Sequence, residues 1–140
     1  MTGFIDVHTH LHDSRIIENV PDIVLRAQDA GVETIVTCAT MEENFGVTAQ
    51  LSERFSCVVP CLGIHPWFLD TLSPDWVENL GQLLEKIPAG VGETGLDFMD
   101  KDADRDLQLD VFKTHLALAC DLNRPINIHV RKAWDAIVKI

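Results

Sequence analysis

Three histidines stand at alternate positions near the start of the chain, in "FIDVHTHLHD" (4–13). Successive side chains of a strand point to opposite faces, so His8 and His10 project together and can turn two ring nitrogens toward one ion. The competing reading is a turn in which backbone groups satisfy both rings. Asp6 shares their face and is placed to act as an inward partner, whereas His12 lies where the chain should have left the strand. In "GVGETGLD" (90–97) Glu93 is surrounded by Gly90, Gly92 and Gly95. A buried carboxylate among small residues needs a compensating charge, and a carboxylate can bridge two cations where one imidazole nitrogen cannot. The alternative is a glutamate in a glycine-rich surface turn, with Asp97 capping the loop that follows.

Further polar residues fall at the ends of apolar runs. In "PINIHVR" (125–131) strand alternation sets His129 on the face of Asn127, as a core histidine or as a ligand. Arg131 could hold a phosphate or carboxylate, or pair with a surface acid. His65 in "GIHPW" (63–67) precedes Pro66, which fixes a turn, and it reads as a pocket residue rather than a ligand. His115 lies in a helical segment, as a packing or surface residue. No serine has an elbow context and no cysteine a credible base, so a nucleophilic triad is not arguable.

These residues need a scaffold that gathers strand ends. Five short apolar runs read as buried strands, at 4–8, 33–39, 57–64, 89–95 and 125–130. Between them lie helical stretches. One carries a stripe from Ile16 through Val20, Ile23, Val24 and Ala27 and stops at Gly31. Another runs from Asn44 to Phe55, and a third opens with Ser73 as N-cap and Pro74 in the first turn. The longest, from about Asp104 to Leu122, sets Leu107, Val111, Phe112, Leu116, Leu118 and Ala119 on an apolar face, and "KAWDAIVKI" begins a last helix. Strictly alternating strands and helices, with strands apolar on both faces, predict an α/β protein built on a parallel sheet covered by helices. An open doubly wound sheet and an arc of a (β/α)₈ barrel both fit, and no glycine-rich phosphate loop follows the first strand. In either architecture chemistry is expected at the C-terminal strand ends, where His8, His10, His65, Glu93 and His129 fall.

The bulk numbers narrow the class. With 140 residues, 46% hydrophobic and 24% charged, the chain has the make-up of one soluble domain with its own core. No apolar run is long enough for a membrane span, and the N-terminus carries no signal-peptide pattern. Four cysteines without zinc-type spacing suit a reducing, cytoplasmic setting. A net charge of −11 speaks against a surface built to grip phosphates, although bound divalent cations can invert the field at one site.

Taken in order, "DVHTHL", "GIHPW", "GETGLD" and "PINIHVR" resemble the TatD-type metal-dependent deoxyribonucleases of the amidohydrolase-like (β/α)₈ hydrolases. The stretch "QLDVFKTHLALACDLNRPINIHVRKAWD" resembles that family's long helix leading into the fifth strand, so the likeness covers essentially the whole chain. It implies a TIM-type barrel with about five of eight β/α units present, as a single partial domain over 1–140. It implies two divalent ions (Zn, Mg or Mn), the first on His8 and His10 and the second on His129, with Glu93 bridging. His65 and Arg131 would line the substrate pocket, and DNA would be hydrolysed at its phosphodiester bonds. The family's later strands carry a further histidine ligand and an aspartate, so little activity is expected of these five units alone. Amidohydrolase-like cleavage of a small ester or amide is a second reading. A metal-binding remnant that self-associates through exposed strand edges, with no membrane involvement, is a third.

Overall fold

The computed structural model describes residues 3–140. Five strands, β1 (Phe4–Thr9), β2 (Val32–Cys38), β3 (Val58–Leu62), β4 (Gly90–Asp97) and β5 (Ile126–Arg131), alternate with five helices. The helices are α1 (Val20–Asp29), α2 (Phe45–Arg54), α3 (Trp76–Lys86), α4 (Arg105–Asp121) and the short α5 (Trp134–Ile137). Every neighbouring pair is parallel and the order is β1-β2-β3-β4-β5, the sequential winding of a TIM-type barrel arc rather than a doubly wound sheet. Parallel neighbours need a long crossover, which the helices supply while covering the sheet.

The core is assembled where those helices meet the strands. Leu62, Ile64, Leu80, Leu84, Val91 and Val111 form the central cluster between β3, β4, α3 and α4. Val20, Val24, Ile35, Leu51 and Val58 form a second beneath α1 and α2. Burial fades toward both edges of the sheet. All eight residues of β4 are buried, but β1 exposes Phe4, Ile5 and Val7 by more than 60% each. The expectation of strands buried on both faces therefore fails for β1. Among the described residues β1 is an end strand of the arc, paired on one side only, with β2. Among the described residues no helix is long and apolar enough to cross a membrane.

Three local expectations are corrected. The stripe from Ile16 is not one helix: Ile17–Asn19 form a 3-10 turn and α1 starts at Val20, with Pro21 in its first turn. Ser73 does not cap α3; its N–H and hydroxyl donate to the Glu42 carboxylate at 2.7 and 2.8 Å. On α4, Leu107 is 39% exposed while Gln108 and His115 are buried. Gln108 clamps the end of β4, accepting from the Asp97 N–H at 2.8 Å and donating to the Asp97 carbonyl at 3.0 Å. His115 is a packing residue, with Nδ1–H on the Val111 carbonyl and Nε2 accepting the Ile64 N–H.

Candidate metal centre

The polar residues converge at the C-terminal strand ends. His8 comes from β1 and His10 from just beyond it, Glu93 from β4 and His129 from β5. His65 caps the turn after β3, its Nδ1 accepting the Trp67 N–H at 3.1 Å. The approach of β4 to β5 depends on glycine. Gly92 has φ +124°, and a Cβ there would collide with the Asn127 carbonyl. That close packing is what sets Glu93 beside His129.

Donor atoms of His8, His10 and Glu93 all lie within 4.8 Å of one another. Nε2 of each imidazole is 3.3 Å from Glu93 Oε2, and the two Nε2 atoms are 3.2 Å apart. His10 Nδ1 lies 2.9 Å from the Cys38 carbonyl, which can only accept, so Nδ1 carries the proton and Nε2 offers a lone pair. A lone pair and a carboxylate oxygen at this distance repel unless a proton or a cation lies between them. His10 is raised above its ordinary pKa, first by its bond with Glu93 and against the effect of burial. Burial acts to raise the Glu93 carboxyl, but His10 and His129, with the nearby rings of His65 and His8, outweigh it and hold it well below the carboxylate range.

A second group shares Glu93. His129 Nδ1 is 3.0 Å from Glu93 Oε1 and 3.1 Å from His65 Nε2, while His129 Nε2 is 3.0 Å from Asp97 Oδ2. Burial pushes His65 down to about 4, so it is neutral near pH 7. Because its Nδ1 accepts from Trp67, its proton sits on Nε2 and points at this group. In this form His65 is a donor, and with Glu93 and His129 it makes up the second set of converging groups. His129 is raised, first by Glu93 and then by Asp97, against burial. The two groups differ: two Nε2 atoms converge on Glu93 Oε2 at 3.3 Å, whereas beside Oε1 His129 Nδ1 lies at 3.0 Å and His65 Nε2 faces that nitrogen at 3.1 Å rather than the carboxylate at 3.7 Å.

Two residues carry more than their sequence context suggested. Asp97 does cap its loop, accepting the Met99 N–H at 2.9 Å, but it is also 98% buried and accepts from Trp67 Nε1 at 2.8 Å beside His129. Asn127, singled out only as a marker of face, lies 2.9 Å from His8 Nδ1. Strand alternation was the signal available for it, since it shares a face with His129. Asp6 is not an inward partner; its exposed carboxylate accepts the His8 backbone N–H at 3.2 Å. His12 stays outside both groups. Arg131 is half exposed, 3.9 Å from Asp97, and lines a cleft of about 770 Å³ with Trp67 and Asp97.

The donor set suits a divalent cation: imidazoles and a charged carboxylate on a rigid strand-end platform, a combination used by zinc and manganese. A sequentially wound parallel sheet with imidazole and carboxylate groups at its C-terminal edge defines a β/α barrel-type protein with a candidate metal centre. Comparison with known proteins refines that class. A sequence model of the TatD related DNase family matches residues 5–140. Metal-dependent hydrolase YjjV of Escherichia coli is 34% identical over 137 residues, 96% of this chain and 53% of that protein. Human deoxyribonuclease TATDN3 is 32% identical over 154 residues, 99% of this chain and 56% of that protein. The crystal structure of YjjV superposes with a TM-score of 0.92 at 33% identity, over 97% of this chain and 54% of that one. The chain belongs to the TatD related DNase family, and it spans about half the length of the curated relatives it matches.

Proposed function

We propose that this chain carries the metal-binding strands of a hydrolase acting on the phosphodiester bonds of DNA. His8, His10 and Glu93 hold one divalent ion, and Glu93 with His129 holds a second. Such ions, when bound, act as Lewis acids toward water and toward the phosphoryl group. The residues of the chain position and protonate. His65 presents an N–H to the pocket, Asp97 keeps the His129 ring oriented through Nε2, and Arg131 lies at the cleft mouth where it can meet an anionic group.

One observation supports this reading best: the Nε2 atoms of His8 and His10 and Oε2 of Glu93 face one another at 3.2 to 3.3 Å, with the His10 Nδ1 already turned to the Cys38 carbonyl. The names of the relatives, a metal-dependent hydrolase and a deoxyribonuclease, point the same way. Cleavage of a small ester or amide is the second reading. It is favoured by the cleft beside Arg131, whose wall includes Asp70, Asp97, Asp100, Asp102 and Asp104 and would repel an extended polyanion. The test is hydrolysis of a single-stranded DNA oligonucleotide and of p-nitrophenyl acetate by the purified chain with Zn²⁺, Mn²⁺ or Mg²⁺. DNA cleavage that needs the ion, falls with added salt and disappears in His8→Ala/His10→Ala bears out the proposal. Ester cleavage without DNA cleavage selects the second reading, and Zn²⁺ binding unchanged in the double variant refutes both.

A further inference from the structure

His8 has a choice that His10 lacks. Its Nε2 lies 3.3 Å from Glu93 Oε2, so a proton placed there would bond the carboxylate and fill the cation position from within. Its Nδ1 lies 2.9 Å from Asn127 Oδ1 and 3.8 Å from Cys38 Sγ, a weaker acceptor. The orientation of the Asn127 amide decides between the two. Its other atom, Nδ2, lies 2.9 Å from the Val7 carbonyl oxygen, which can only accept. The NH₂ end must therefore face Val7, the oxygen end must face His8, and His8 must donate from Nδ1. With that proton committed, Nε2 is left with its lone pair toward Glu93 and His10.

The fold makes this bond unusual. β1 and β5 are the two edges of the sheet, yet the Asn127 side chain from β5 reaches both the backbone and the ring of β1. Asn127 and His129 stand two apart on one strand and share its face. We infer that Asn127 is a positioning residue that commits His8 to the Nδ1–H form, keeping a ligand open that would otherwise close on Glu93. This rests on the metal-binding reading proposed above. Partners of this kind behind a ligating histidine typically change metal affinity by ten- to a hundredfold.

The test uses metal-free, ¹⁵N-labelled chain at pH 8 and long-range ¹H–¹⁵N correlation of the His8 ring, followed by calorimetric titration with Zn²⁺. Wild type should show the proton on Nδ1. Asn127→Leu, similar in size but without the amide, should move it toward Nε2 and weaken Zn²⁺ by ten- to a hundredfold. Asn127→Asp keeps the acceptor toward His8 but sets a second oxygen against the Val7 carbonyl, so it should retain the Nδ1 proton while losing stability. A purely structural role would lower the melting temperature in both variants without this split. An unchanged His8 tautomer in Asn127→Leu overturns the inference. If that variant does not fold, an unchanged His8 tautomer in Asn127→Ala overturns it instead. A tautomer that follows residue 127 while no variant binds Zn²⁺ supports the positioning role and removes the metal reading alone.

Discussion

Replacing Glu93 with glutamine tests the centre most directly, because one side chain serves both groups. The carboxylate lies 3.3 Å from His10 Nε2 and 3.0 Å from His129 Nδ1. A unit charge pair at that separation is worth about 5 kcal/mol at an effective dielectric of 20 and about 1 kcal/mol in water. The His10 side chain is 36% exposed, so screening brings the attraction to about 2 kcal/mol. A dication carries twice the charge, which gives about 3–4 kcal/mol and a hundred- to thousandfold weaker binding in Glu93→Gln. The pH profile should change as well. Because His10 is raised, a proton occupies the site until the pH passes that raised value, and an incoming ion must expel it. Zn²⁺ affinity in wild type should climb about tenfold per pH unit and then level off. In Glu93→Gln the levelling should move down toward the ordinary histidine value. Calorimetry from about pH 5.5 to 8.5, in two buffers of different ionisation enthalpy, reads both the affinity and the protons released. The metal-free protein gives an independent sign. His10, raised, contributes stability that is complete below 6.5 and lost as pH rises through its folded value. Glu93, lowered, contributes stability present above 4.5 and lost as pH falls through its folded value. The stability difference between wild type and Glu93→Gln should therefore be largest between those limits. An identical pH profile with affinity within about twofold would refute the role given to Glu93.

Two further outcomes follow from the fold. Gly92→Ala puts a Cβ against the Asn127 carbonyl at a φ of +124° and should cost about 3 kcal/mol or more in urea unfolding; a loss under about 1 kcal/mol would show that β4 and β5 do not need this approach. The exposed Phe4, Ile5 and Val7 on β1 predict self-association, read as a concentration-dependent sedimentation coefficient that Ile5→Lys/Val7→Lys should suppress. A wild-type monomer at every concentration would remove that idea.

Much of the scaffold was legible because hydrophobic period reports local structure. Strand runs and helical stripes lie within one segment each, so all five strands emerged close to their observed bounds. Errors arose where a distant group competed. Ser73 looked like a cap but is held by Glu42, and the buried side of α4 is turned by Gln108 gripping the end of β4. In the centre, "HTH" and "GETG" carried their meaning in spacing. Asp97 and Asn127 did not, since a carboxylate at a strand end and an amide within one are ordinary until their partners are known.

The sequence by itself determined which residues face together and in what order the strand ends arrive. Alternation along β1 aligns His8 with His10, and alternation along β5 aligns Asn127 with His129. Only the tertiary structure decided how protons are shared among them. That depends on carbonyls and an amide from other strands: Cys38 behind His10, and the Asn127 amide, held by Val7, behind His8. A tautomer is set by what lies within about 3 Å of each ring nitrogen, and for these rings those atoms are 28 to 119 residues away.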